Sequence, residues 1–138
     1  MKKYIVLLFI IITVSCQDTV KDEDLANLNG YWEIETAIMP DGTKKEYTVN
    51  STIDYFELQG KEGFRKKVMP QYDGTYRVNS TAEKITIAND NGKAYIYYET
   101  EFSKWKEEII KLSDEQLILK NAQDIEYNYI KPQPFSIK

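Results

Sequence analysis

Two kinds of side chain in this sequence could carry out chemistry: a single cysteine and two pairs of carboxylates. Cys16 is the only cysteine among 138 residues, and the chain contains no histidine. Histidine-based acid–base catalysis, Ser-His-Asp triads and histidine metal sites are therefore excluded. Glu33 with Glu35, and Glu99 with Glu101, each share a strand face, and paired carboxylates can cleave glycosidic bonds. Each face also carries tyrosine and lies opposite an apolar face, so we expect solvated outer faces and no enzyme activity.

The segment Asn89-Asp90-Asn91-Gly92 resembles part of a calcium-binding loop. If Gly92 takes the place of the invariant glycine of such a loop, Ile87 falls at the first ligand position and Tyr98 at the last. Neither side chain can bind calcium as required there, whereas Asn-Gly is a strong signal for a tight β-hairpin. The sequence therefore predicts a hairpin turn at this segment, and we expect neither a metal nor a cofactor.

Tyrosines are concentrated in two of the predicted strands. The five candidate ligand-binding residues are Tyr95, Tyr97, Tyr98, Tyr127 and Tyr129. Aromatic residues at the mouth of a barrel can grip apolar or sugar ligands. Cross-strand pairing that stabilises the sheet explains the same residues without any ligand, so both interpretations remain open.

The N-terminus has the pattern of an export signal. Met1-Lys2-Lys3 precedes an almost continuous apolar run over residues 4–14. Lysines followed by an apolar run of about ten residues are typical of a signal peptide. A transmembrane helix needs about 20 apolar residues, so the run is too short to span a bilayer. Residues 1–15 are therefore predicted to be a signal peptide.

The segment Thr13-Val14-Ser15-Cys16 resembles the lipobox of bacterial lipoproteins. The resemblance implies that the Cys16 thiol receives a diacylglyceryl group, that the signal is cut before it, and that fatty acyl chains such as palmitate hold the protein at a membrane. Enteric lipoproteins kept in the inner membrane carry an aspartate where Gln17 stands, so the resemblance implies an outer-membrane lipoprotein in either leaflet. A plain secretory signal is the alternative.

Cleavage leaves an acidic chain. Removing the signal peptide lowers the formal charge from −4 to −6, because it carries two lysines and no acid. No basic face is evident, which argues against a nucleic-acid partner. We divide the chain into the signal peptide, an acylated Cys16 with a polar tether (16–27), a β-barrel (28–131) and a tail (132–138). One domain of this length can bury a core.

From Gly30 onward, apolar and polar residues alternate with the period of half-buried strands. In the first strand, Trp32, Ile34 and Ile38 are predicted to share the inward face. Turn signals separate eight to ten such segments, which favours an all-β antiparallel barrel or sandwich. The segment Lys104–Leu112 also fits one face of a helix, but the strands on either side favour a strand.

Gly30-Tyr31-Trp32 is similar to the Gly-x-Trp that opens the first strand of lipocalins. Residues 74–78, 84–87 and 110–119 resemble the strand pattern of small bacterial lipocalin-like lipoproteins. The resemblance implies an up-and-down barrel in which Gly30 and Trp32 close one end against a turn formed by residues 24–29.

The chain departs from lipocalins at the arginine that usually stacks on this tryptophan. Arg65 and Arg77 lie in the middle of the sequence, and Lys131 lacks a planar stacking surface, so we expect the barrel base to be closed differently. The resemblance implies a small apolar or amphipathic ligand. The alternative is a barrel filled by side chains that docks a protein of the cell envelope, and the volume of the interior discriminates between the two.

Overall fold

The fold was determined as a computed structural model that describes residues 20–78 and 81–132. Cys16, the predicted signal peptide and the tail beyond residue 132 lie outside these residues. The described part contains one 3₁₀ helix, Asp22–Leu28, and ten strands. The strands are β1 (Gly30–Ile38), β2 (Lys44–Glu46), β3 (Ile53–Gln59), β4 (Glu62–Pro70), β5 (Tyr76–Val78), β6 (Glu83–Asp90), β7 (Lys93–Glu99), β8 (Lys104–Leu112), β9 (Gln116–Lys120) and β10 (Glu126–Ile130). No helix within this part is long and apolar enough to cross a membrane.

Eight of the strands form a closed antiparallel barrel. Their order is β1, β3, β4, β6, β7, β8, β9 and β10, and β10 pairs back onto β1. The short strands β2 and β5 pair only with the ends of β1 and β4, outside this ring. The all-β antiparallel barrel predicted from the sequence is therefore confirmed.

Local sequence signals explain much of this architecture. Asn91 and Gly92 both have positive φ angles, 50° and 76°, as a two-residue type I′ hairpin between β6 and β7 requires. The ambiguous segment Lys104–Leu112 is a strand, β8, that pairs with β7 and β9. Both predictions are confirmed.

A β-bulge in β1 changes which residues face the interior. The pairing between β1 and β10 shifts between Ile34 and Thr36, because β1 carries an extra residue there. After the bulge Ala37 is fully buried, whereas Ile38 is only half-buried. The prediction that Ile38 shares the inward face of Trp32 is therefore wrong.

The 3₁₀ helix covers one end of the barrel, which we call the closed end. Its residues Leu25 and Leu28 are buried, and the indole Nε1 of Trp32 donates a hydrogen bond of 2.9 Å to the carbonyl oxygen of Leu28. The Lys131 ammonium lies 3.9 Å from the centre of the Trp32 ring, where lipocalins usually place a guanidinium. Gly30 has a φ of +113°, which residues with a Cβ rarely adopt.

Large side chains fill the barrel interior. Eight large side chains expose less than 2% of their surface: Trp32, Tyr98, Phe56, Leu28, Ile85, Ile96, Leu117 and Leu119. A void that admits a water molecule would expose part of every side chain that lines it. The interior therefore has no room for an apolar ligand beside these residues.

Candidate functional site

Charged side chains occupy the interior toward the opposite end, which we call the open end. Arg65 lies in register between Phe56 of β3 and Glu83 of β6, and it faces inward. Its guanidinium forms an ion pair with Glu83 at 2.5 Å and lies 3.8 Å from a carboxylate oxygen of Glu107. A second ion pair, 2.7 Å long, joins Lys67 to the buried Asp54. We call Asp54, Arg65, Lys67, Glu83 and Glu107 the inner cluster.

Burial and neighbouring charges set the pKa values inside the barrel. Burial is the largest influence on Arg65 and lowers its pKa, but Tyr98 and the surrounding carboxylates together raise it above the ordinary value. Burial raises the pKa of Glu107, and burial together with the Glu107 carboxylate raises that of Tyr98. Because its acids and bases face one another, the inner cluster largely neutralises itself.

Nε of Arg65 is buried and has no hydrogen-bond partner among the described residues, whereas the buried hydroxyl of Tyr98 faces the Glu107 carboxylate. The Arg65 guanidinium carbon lies 4.3 Å from the centre of the Tyr98 ring, and Trp105 stacks on the same ring at 5.2 Å. The guanidinium and the two rings therefore form a stack of flat groups. Within the described residues, no group of cysteine and carboxylate side chains is placed to hold a metal ion.

The barrel wall separates the five tyrosines singled out in the sequence. Tyr98 and Tyr129 are buried inside, and Tyr127 is half-buried against the core. Tyr95 and Tyr97 lie on the outer face of β7, where both rings contact the Lys106 ammonium. The structure therefore does not bring the five rings together into one site.

The largest cavity described on the protein lies outside the barrel, and we call it the outer cleft. Its volume is about 880 Å³. The floor is formed by β1, the start of β3 and the end of β10, and two flaps form the sides. Acidic, aromatic and apolar side chains line the outer cleft, among them Glu33, Glu35, Tyr47, Val49, Asn50, Ile53, Pro70, Tyr72, Asp73, Tyr76 and Pro132.

The first flap comprises β2 and residues 47–52, and hydrogen bonds tie it to the wall. Asn50 Nδ2 donates to a carboxylate oxygen of Glu33 at 3.0 Å and to the carbonyl oxygen of Ile34 at 2.9 Å. The backbone N–H of Tyr47 donates to the carbonyl oxygen of Glu35 at 2.9 Å. These bonds position the flap directly beside the two carboxylates of β1.

The second flap is the β4–β5 hairpin, and stacked rings hold it against the wall. Tyr76 stacks on Tyr31 with ring centres 3.9 Å apart, and Tyr31 contacts Tyr55 at 4.9 Å. At the tip of the hairpin, Asp73 accepts hydrogen bonds from the backbone N–H and the hydroxyl of Thr75, at 2.9 and 2.6 Å. Stacking of Tyr76 on Tyr31 buries the faces of two rings, so it holds the hairpin against the wall as one side of the outer cleft.

The outer cleft carries negative charge only. Glu33, Glu35 and Asp73 line it, and no lysine or arginine of the described chain does. The hydrogen bonds from the Thr75 side chain and backbone lower the pKa of Asp73 below its usual value. Burial, with the nearby Tyr31 and Glu33, raises the pKa of Tyr76. At neutral pH Asp73 is therefore ionised and Tyr76 is not.

Sequence reasoning missed this site. The sequence pattern predicts a solvated outer face for Glu33 and Glu35, and it gives no functional role to Tyr47, Tyr72 and Tyr76. The five residues come from segments that are distant in the sequence and meet only because β2 and β5 fold beside the wall. The available signal was the presence of Tyr47 and Tyr72 in segments otherwise rich in turn residues.

Comparison with known proteins identifies the family. A family model described as the lipocalin-like domain matches residues 28–119, whereas a search of curated proteins finds no match. The crystal structure of a lipocalin-like protein from Bacteroides uniformis is similar with a TM-score of 0.48 and 17% identity, covering 77% of this chain and 99% of that chain. A protein from Bacteroides eggerthii is similar with a TM-score of 0.47 and 14% identity, covering 76% and 99%. Because the family match spans more than half of the sequence, this chain belongs to the lipocalin-like domain family.

Proposed function

We propose that this protein is an outer-membrane lipoprotein, anchored through Cys16, that binds a small amphipathic ligand in the outer cleft. It acts as a binding protein, with neither an enzymatic activity nor a nucleic-acid partner. The observation that carries the proposal is the difference in free volume between the barrel interior and the outer cleft. Large side chains fill the barrel interior, whereas the outer cleft offers about 880 Å³.

The size and lining of the outer cleft suit such a ligand. Binding sites for small molecules typically have volumes of about 300–1,000 Å³ and apolar walls with a few polar groups. Val49, Ile53 and Pro70 supply apolar surface, while Glu33 and Glu35 supply the polar groups. Aromatic rings that combine an apolar face with a hydroxyl suit a ligand with both characters.

Anchoring through Cys16 is proposed from the sequence, because Cys16 lies outside the described residues. Five residues lie between Cys16 and Asp22, so Asp22 is six positions along the chain and lies within roughly 20 Å of Cys16 at most. An anchored Cys16 would therefore keep the closed end close to the membrane surface. Intact-mass analysis should show acyl chains on the wild-type protein, and Cys16→Ser should give an uncut or soluble exported form. A wild-type mass with a thiol on Cys16 would overturn the anchor.

Native mass spectrometry of the protein extracted from its own envelope tests the binding function. We expect a small-molecule adduct on the wild type. Tyr72→Ala should lose the adduct, because Tyr72 lines the outer cleft and is 93% exposed, so its removal should not disturb folding. The matched control is Tyr97→Ala, on the outer face of β7, which should retain it. An adduct lost in Tyr97→Ala and retained in Tyr72→Ala would refute the assignment.

A second function, the docking of another envelope protein, is favoured by exposed apolar residues at the open end. Val49, Tyr72 and Phe102 lie in three different loops of that end and are 87%, 93% and 91% exposed. Phe102 is outside the outer cleft, so it separates the two functions. Docking predicts that Phe102→Ser abolishes a specific crosslink in the intact envelope while leaving the small-molecule adduct unchanged.

A further inference from the structure

The carboxylates of the outer cleft have no cationic partner among the residues that the structure describes. The side chain of Glu35 makes neither a hydrogen bond nor an ion pair within the described residues, and Glu33 accepts a hydrogen bond from the neutral amide of Asn50. Within the described part of the chain, the Asp73 side chain bonds only to Thr75. Like charges that share a site repel one another, so these three carboxylates favour an incoming cation.

The rings of the outer cleft favour the same kind of ligand. Tyr47, Tyr72 and Tyr76 line the cavity, and the face of an aromatic ring attracts cations. The Lys45 ammonium already lies 4.9 Å from the centre of the Tyr47 ring. Tyr76 is stacked on Tyr31, which leaves the rest of its surface to the cavity.

We propose that the ligand of the outer cleft is an organic cation with an apolar or aromatic body. This assignment rests on the proposed function, because it names the chemical class of the ligand that binds there. The cationic group lies between the carboxylates of Glu33 and Glu35, and the apolar body packs on the tyrosine rings and Ile53.

A second groove on the barrel is lined mainly by basic side chains, in contrast to the outer cleft. That groove, of about 490 Å³ on the outer face of β6, β7 and β8, is lined by Lys84, Lys104 and Lys106 together with Tyr97 and Trp105. Its only acidic lining residue in the described chain is Glu99. An anionic ligand would therefore find a more favourable surface there than in the outer cleft.

Three probes of similar size and different charge test the assignment: benzyltrimethylammonium, benzyl alcohol and benzoate. Each is titrated calorimetrically into the full-length lipidated protein in nanodiscs, with empty nanodiscs as the blank. We expect the cation to bind roughly tenfold more tightly than benzyl alcohol, and benzoate to bind most weakly. Added salt should weaken binding of the cation, because exposed charges are screened.

A matched pair of double variants locates the effect. Glu33→Gln with Glu35→Gln should weaken binding of the cation roughly fivefold and leave benzyl alcohol unchanged, since only the charges are removed. Glu57→Gln with Glu62→Gln removes two charges that line a different groove and should change neither.

The other outcomes overturn the assignment in distinguishable ways. Equal binding of all three probes, lost in Tyr72→Ala, would refute the cationic ligand and leave the proposed function standing. Binding of the cation that survives both the Glu33/Glu35 variant and Tyr72→Ala would place its site elsewhere and refute the assignment. Failure of the cation to bind would also refute it, and the native mass spectrum would decide the proposed function separately.

Discussion

The inner cluster and the outer cleft contain the same kinds of side chain but differ in how these are paired. Inside the barrel, Arg65 and Lys67 lie against Asp54, Glu83 and Glu107. In the outer cleft three carboxylates face three tyrosines, with no basic side chain of the described chain in the lining. Each carboxylate of the inner cluster therefore has a cation within 4 Å, whereas the carboxylates of the outer cleft have none among the described residues.

This difference separates structural charges from charges that can bind a ligand. A buried ion pair requires its partners, because removing one of them leaves an uncompensated charge at low dielectric. Exposed carboxylates on a wall are solvated and can exchange water for a ligand at little cost to the fold. Substitutions inside should therefore change stability, whereas substitutions in the outer cleft should change binding.

The largest effect is expected from Trp32→Ala. Trp32 is fully buried, and its indole is bonded to Leu28 at the closed end. Truncating a buried tryptophan typically costs about 3–5 kcal/mol, a large part of the roughly 5–15 kcal/mol stability of a domain. Urea titrations should show a severe loss of stability or an unfolded protein.

Controls from outside the core complete this comparison. Trp105→Ala should cost less, because Trp105 is 37% exposed. Tyr72→Ala and Glu35→Ala in the outer cleft should stay within about 0.5 kcal/mol of the wild type. A Trp32→Ala midpoint no lower than that of Glu35→Ala would mean that Trp32 is not part of the core.

Breaking the inner cluster should cost nearly as much. Arg65→Met leaves the buried Glu107 and the half-buried Glu83 without their cation, and removing one partner of a buried pair costs about 3–5 kcal/mol. Replacing all three charges with apolar residues should restore much of the stability, measured by the same urea titrations. If Arg65→Met is as stable as Glu33→Gln, the inner cluster does not have the structural role assigned to it.

The pH dependence should have opposite signs in the two regions. Burial raises the pKa of Glu107 above its ordinary value of 4.5, so its stabilising contribution is complete below that value and is lost as the pH rises through the folded pKa. The hydrogen bonds from Thr75 lower the pKa of Asp73 below 3.8, so its contribution is present above that value and is lost as the pH falls through the folded pKa. Carboxyl-carbon NMR titrations should therefore place the Glu107 midpoint high and the Asp73 midpoint low.

A matched variant connects this shift to stability. Glu107→Gln resembles the protonated side chain, so its stability relative to the wild type should increase as the pH rises above 4.5. A Glu107 midpoint at or below the ordinary value would contradict burial as the dominant influence on this carboxyl group.

The smallest effect is expected at Lys131, on the border between interior and surface. Its ammonium lies 3.9 Å from the centre of the Trp32 ring, and such a contact contributes about 0.5–2 kcal/mol. Lys131→Met should lose that amount in urea titrations. Lys131→Arg should retain it or improve on it, because a guanidinium stacks on an aromatic ring. Equal stability of all three proteins would show that the cation contributes nothing to closing the base.

Elements with a local signal could be predicted from the sequence. The Asn91-Gly92 turn needs two positive φ angles, and Asn-Gly is the residue pair that most readily adopts them. The strand β8 could be predicted because the segments on either side of it are strands bounded by turns, although its apolar spacing also fits a helix. The bulge in β1 has no such signal, because the alternation of Trp32, Ile34 and Ile38 continues through it.

The candidate site could not be predicted, because it depends on contacts between distant segments. Arg65 stands in a run of charged residues, so nothing local indicates that it points inward while Lys66 does not. The outer cleft requires Tyr76 to stack on Tyr31, 45 positions earlier in the chain. Neither arrangement follows from periodicity, since each is fixed by the closure of the barrel and the placement of β5.

The central claim is that the ligand binds outside the barrel, and one NMR titration tests it most directly. Benzyltrimethylammonium is added to the isotopically labelled protein, and the ring resonances of the tyrosines are followed. We predict that Tyr47, Tyr72 and Tyr76 shift with a common saturation curve while Tyr98 and Tyr129 stay in place. Saturable shifts of Tyr98 and Tyr129, with Tyr72 and Tyr76 unchanged, would place the ligand inside the barrel and contradict the account.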